Sequence, residues 1–148
     1  MAYSTKLSDA LHILAYIAMQ QGADLSSDAI ATSLASNPSG VRQLMGKLKR
    51  ADLIACTTGH PCPRLARPAE RITMLDVYHA VEGTKPLLHL DTHTNPACGI
   101  GVNVQVVIGE QFVAVQQAAE NAMAAVTLAD IIANFEERAA STLGTGSH

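Results

Sequence analysis

Aromatic side chains are scarce in this chain of 148 residues, which has no tryptophan, three tyrosines and two phenylalanines. A core must therefore rest on Leu, Ile, Val, Ala and Met, which suits helices packed closely through small residues. Cysteine is sparse too. Three of them, an odd number at irregular spacing, do not make a secreted disulfide framework. No apolar run nears the roughly 20 residues that span a bilayer, and Met1-Ala2-Tyr3-Ser4-Thr5-Lys6 lacks the apolar centre of a signal peptide. The expectation is a cytoplasmic protein with no membrane partner. No Ser/His/Asp or Cys/His arrangement has a credible orienting partner, and no glycine loop could cradle a phosphate, so no enzyme is expected.

Positive charge is short overall, with a net charge of −3 that argues against an indiscriminate nucleic-acid binder. Its distribution points the other way. Residues 1–71 hold eight Lys/Arg and five Asp/Glu, whereas residues 72–148 hold two and eight. One end is suited to phosphate and the other to solvent or a partner, though a solvated basic face would give the same balance. The length fits one domain, or a small domain with an oligomerisation arm.

Apolar positions Leu7, Leu11, Leu14 and Ala18 recur at helical spacing over residues 4–20. Two short helices are predicted next, at residues 27–34 and 38–51. Ile30, Leu34, Val41 and Leu44 supply the apolar contact, and Ala31 and Ala35 let the pair cross closely as a helix-turn-helix. Asn37 can cap the second helix, and Pro38 fits its first position. Its polar face carries Ser39, Arg42, Gln43 and Lys47, side chains suited to base edges and phosphates. A two-stranded wing follows, running through Ile54-Ala55-Cys56, a tip at His60-Pro61-Cys62-Pro63, and Arg64-Leu65. Thr73 with Asp76 marks a capping-box start, and Gly83 a stop, for a helix over residues 74–82.

After a polar loop, Val104, Ile108, Phe112, Val115, Ala119, Met123 and Val126 recur in steps of three and four. Their mean period is that of one long helix with a continuous apolar stripe. Such a helix would project beyond a small winged domain and leave its stripe in water unless a second copy covers it. A homodimer through residues 103–126 is therefore expected. Thr127 with Asp130 caps a final helix, whose Leu128, Ile131, Ile132 and Phe135 can pack back on the assembly. The predicted fold is mainly α. A winged helix-turn-helix domain (1–83) is followed by a hinge or sensor loop (84–102), dimerisation helices (103–139) and a disordered tail (140–148).

In this order of elements, the chain resembles the Rrf-type family of bacterial winged-helix transcription regulators. The resemblance is carried by residues 34–54, by Leu65-Ala66-Arg67-Pro68-Ala69-Glu70-Arg71-Ile72-Thr73-Met74-Leu75-Asp76-Val77, and by Ala80-Val81-Glu82-Gly83. Asn95-Pro96-Ala97-Cys98 and Thr127-Leu128-Ala129-Asp130 extend it over most of residues 3–138. It implies a sequence-specific regulator, usually a repressor, that binds a partly palindromic operator on double-stranded DNA as a homodimer. By position, Ser39, Arg42 and Gln43 would face bases and Lys47 the backbone. Tyr3, Ser4 and Lys6 would lie against phosphate, with Arg64 and Arg67 beside the wing.

The chain departs from that family in two respects. Family wings usually carry a glycine-rich tip, where this chain has prolines that remove donors and flexibility. Cluster-binding members group three cysteines in the loop after the short helix, but only Cys98 stands there, so no iron–sulfur cofactor is expected. Candidate inputs are redox chemistry at Cys56, Cys62 or Cys98, a metal at His89, His93 and Cys98, or a small molecule. Two alternatives stay open: a winged protein-interaction module that has lost DNA binding, and a thiol- or metal-responsive sensor.

Overall fold

The computed structural model describes residues 4–56 and 63–144. Tyr3, Cys62 and the tip of the wing lie outside the described residues, as do the expectations attached to them. The chain runs α1 (Lys6–Met19), α2 (Ser27–Leu34), α3 (Pro38–Arg50), β1 (Ile54–Ala55), β2 (Arg64–Leu65), a 3-10 turn (Ala69–Arg71), α4 (Met74–Glu82), α5 (Gly99–Ala124) and α6 (Leu128–Gly144). The architecture is the expected one, a mainly helical winged helix-turn-helix with a long helix behind it. β1 and β2 pair antiparallel, Ile54 opposite Leu65 and Ala55 opposite Arg64. The Ala66 N–H donates to Leu53 O (3.0 Å) and continues the ladder.

The core lies among α1, α2, α3, α4 and the base of the wing. Ile13, Leu14, Ile17, Ile30, Leu48, Leu53, Ile72 and Val77 are fully buried there. In α1 the inward face is Ala10, Ile13, Leu14 and Ile17, whereas Leu7, Leu11 and Ala18 of the expected stripe are only half-buried. Apolar residues nearly surround α1, and its contacts with α3 and α4 select the rotation. Burying a Leu or Ile stabilises by about 1.5–3 kcal/mol relative to exposure, so the side with more neighbours wins.

The capping box of α4 forms as expected. Thr73 Oγ1 accepts from Asp76 N (3.1 Å), and Asp76 Oδ2 accepts from Thr73 N (3.0 Å). Removing the hydroxyl orphans one N–H of the first turn. Thr73→Ala should lower unfolding free energy by about 0.5–2 kcal/mol, read from urea midpoints. No change in midpoint would show that the box holds nothing. Thr127 and Asp130 repeat the motif at α6. The Thr127 backbone N–H holds the Asp130 carboxyl below the usual carboxylate range.

Three differences from expectation concern the C-terminal half. α5 begins at Gly99 rather than 103, because the Cys98 thiol caps it, accepting from Gly101 N (3.4 Å). Half of the predicted apolar stripe also faces inward, with Phe112, Ala119, Met123 and Val126 partly covered by the rest of the chain. No residue of the 26-residue α5 is buried, and Ile100, Val104, Val107, Val113 and Val115 stand exposed. Finally, α6 continues to Gly144, into the segment expected to be a tail. Leu128 returns to the core at 1% exposure, but Phe135 is 54% exposed and does not pack back.

The end of α5 is tied to the winged domain. Thr73 and Thr127 form an antiparallel bridge, flanked by Met74 N to Val126 O and Leu128 N to Ile72 O, both 2.8 Å. Among the described residues, no helix is long and apolar enough to cross a membrane.

Candidate nucleic-acid interface

Local chemistry sets the outward helix. Ser26 caps α2 by accepting from Ala29 N (3.2 Å), and α2 ends at Ala35 in the left-handed region (φ 52). That turn lets Ser36 N reach Ala31 O (3.0 Å), leaving only residues 35–37 between the helices. Asn37 Oδ1 then accepts from Gly40 N (2.7 Å), and Pro38, with no N–H to satisfy, opens α3. Val41, Leu44 and Leu48 face the core. Ser39, Arg42, Gln43, Lys49 and Arg50 are exposed on the other side. Lys47, Lys49 and Arg50 fall in the last turn, where positive charge suits the negative end of the helix dipole.

Lys6, Gln43 and Lys47 line one groove of about 230 Å³ between α1 and the start of α3. Ser36, which carries no sequence motif, stands in the same groove. Three predicted residues are engaged within the protein. Lys47 is only half-exposed, and its Nζ donates to Val81 O at the end of α4 (3.4 Å). Loss of solvent, and then the neighbouring Lys6, lower its pKa from the ordinary lysine value. The Ser4 hydroxyl donates to the Glu82 carboxylate rather than standing free for a phosphate. Arg67 pairs with Asp76 (3.6 Å) and bonds to Arg71 O (3.4 Å), which secures the α4 cap. Arg64 is exposed on β2 but lines a different groove, with Gln21, Glu70 and Glu136.

The described metal candidates do not converge. Among the described residues, no group of three His, Cys, Asp or Glu could hold a metal ion, so the His89, His93 and Cys98 set is not assembled. A polar loop long enough to place them apart gives no reason for them to meet. Cys56 is half-buried at the end of β1, and Cys98 is exposed with its thiol capping α5. Cys98 is the one cysteine of the loop between α4 and α5.

A family described as "Rrf2: Iron-dependent Transcriptional regulator" matches residues 3–134. The chain is 35% identical over 129 residues to YwnA of Bacillus subtilis (strain 168), whose name assigns it as an HTH-type transcriptional regulator. That match covers 87% of this chain and 96% of YwnA. A crystal structure of a protein assigned to DNA binding superposes with a TM-score of 0.71 at 35% identity, over 86% of this chain and 98% of that one. The structure of CymR (YrzC), the global cysteine regulator of B. subtilis, gives 0.65 at 20% identity over 90% and 97%, a likeness of fold.

Proposed function

The chain belongs to the Rrf2 family of transcriptional regulators, and from that premise we propose that it is a homodimeric repressor of a partly palindromic operator. The observation that carries this reading is the division of α3. Arg42 and Gln43 are exposed on a helix whose opposite side, Val41, Leu44 and Leu48, anchors it in the core. A helix so held can enter the major groove as a rigid unit, with Arg42 and Gln43 suited to guanine and adenine edges. Lysines around it supply sequence-independent affinity that falls with salt.

The second copy is supported by α5. Its exposed residues Ile100, Val104, Val107, Gln111, Ala114, Ala118 and Ala122 follow one another in steps of three and four. That is the spacing of a helix–helix seam, with small residues toward one end permitting close approach. At about 1.5 Å per residue, the 26 residues of α5 extend about 39 Å. Two heads on such a pair would present their α3 helices to half-sites about one duplex turn, roughly 34–36 Å, apart. The protein would act in the cytoplasm without a resident cluster, since the loop offers Cys98 alone.

Selection of bound duplex from a random pool supplies the operator for the test. Arg42→Ala should then lose about 1–3 kcal/mol on that operator, while affinity for a scrambled duplex barely moves. Equal losses on both duplexes would strip Arg42 of its base-reading role, and no enriched sequence at all would end the operator reading.

A further inference from the structure

The C-terminal end of α4 gathers lysines from three separate segments. The last carbonyls of a helix lack intrahelical donors and carry the negative end of its dipole. Val81 O takes Lys47 Nζ from α3 (3.4 Å), and Glu82 O takes the Lys85 N–H (3.2 Å). The Tyr78 hydroxyl donates to Lys85 O (2.6 Å), fixing Lys85 just past the turn at Gly83, whose φ is 63. From the opposite side, Ser4 bonds to the Glu82 carboxylate, and the Lys6 N–H donates back to Ser4 Oγ (3.3 Å). Lys6 is thereby set beside Lys47, in the groove that the two share.

Glu82 and, on the wall of the groove, Asp9 are the carboxylates at this junction, and each already accepts from a hydroxyl, Ser4 and Thr5 (3.4 Å) respectively. Among the described residues, no carboxylate forms an ion pair with Lys6, Lys47 or Lys85. With about −0.5 from the helix end and −1 from each of Glu82 and Asp9, three ammonium groups leave roughly +0.5 uncompensated. Loss of solvent is the first cause that lowers the Lys47 pKa, and Lys6 and, more weakly, Lys85 add to it while Glu82 opposes them. An arriving anion relieves the repulsion among the lysines.

We infer that Lys85 joins Lys6 and Lys47 in a clasp for one phosphodiester of the DNA backbone, where α1, α3 and the end of α4 meet. The inference rests on the DNA-binding reading above and extends it to a residue outside both the helix-turn-helix and the wing. A phosphate brings several acceptor oxygens on one anionic centre, and lysines meet it as mobile point charges without geometric demand. The contact fixes where the head sits on the duplex and carries no base preference.

The experiment measures duplex affinity of the full-length protein across salt for wild type, Lys85→Gln and, as a remote charge control, Arg138→Gln on α6. Neutralising one phosphate contact lowers the slope of log K against log salt by about 0.9. The Lys85→Gln defect should therefore appear on operator and scrambled duplex alike, and shrink about threefold between roughly 50 and 200 mM salt. Arg138→Gln should match wild type. Wild-type binding with an unchanged slope in Lys85→Gln overturns the clasp and leaves the DNA reading standing. Failure of wild type to bind any duplex overturns the DNA reading and the clasp with it. Titration of inorganic phosphate into duplex-free protein separates the remaining source. Submillimolar uptake lost in Lys85→Gln would mark a site for the free ion and overturn assignment to the backbone.

Discussion

Val107→Glu should leave a folded monomer whose affinity for the operator is lower by about 10² to 10⁴. Val107 is 55% exposed, on the side of α5 away from its own winged domain, so the carboxylate harms nothing within the protomer. Between two copies it would be buried without a cation, and an unpaired buried charge costs several kcal/mol. The affinity loss follows from geometry rather than from α3. A dimer binds its second half-site intramolecularly, and separating the heads forfeits an advantage of about 10² to 10⁴. Light scattering gives the mass, circular dichroism the fold, and duplex titration the affinity. A Val107→Glu protein that remains dimeric would displace the seam from this face of α5.

Leu48→Ala should cost about 2–5 kcal/mol of unfolding free energy, the usual range for emptying a buried leucine site. Leu48 is fully buried on the inner side of α3, within the cluster shared by α1, α4 and the wing base. Its loss loosens the anchorage of the reading helix, yet every outward side chain stays in place. The folded fraction should therefore keep its preference for operator over scrambled duplex. Arg42→Ala reverses the pattern, since exposed substitutions usually stay within about 0.5 kcal/mol of stability. A loss below about 1 kcal/mol in Leu48→Ala would mean that α3 is held elsewhere.

Much of this architecture could be read from local chemistry. Asn37-Pro38, Thr73 with Asp76, and Gly83 mark helix ends through groups that only a terminus can satisfy, and the elements begin and stop there. Where several faces of a helix are apolar, periodicity alone chose poorly. α1 buries Ile13 and Ile17 beside the expected Leu14, and leaves Leu7 and Leu11 packed at the edge of the core. α5 divided its valines between its own domain and solvent. Gly99 and Gly101 read as loop, although a cysteine thiol was available to start the helix before them. Ser39, Arg42 and Gln43 were legible as an outward face because a polar stripe opposite Val41, Leu44 and Leu48 has one place to go. The inward bend of Lys47, the tie of Ser4 to Glu82 and the pairing of Arg67 with Asp76 were not. The first two join segments far apart in the chain and the third spans the 3-10 turn, and no spacing rule encodes such meetings.

The lashing of Thr73 to Thr127, with its two flanking hydrogen bonds, bears on how control of this protein would work. It denies the winged head a free swivel on α5, despite the polar loop that also joins them. Head and long helix form a single yoke. In the proposed dimer, a few degrees of change where the two yokes cross would be magnified at Arg42, far from the pivot. An inducing signal would then need only to reset the span between the two α3 helices, leaving each of them unaltered in shape.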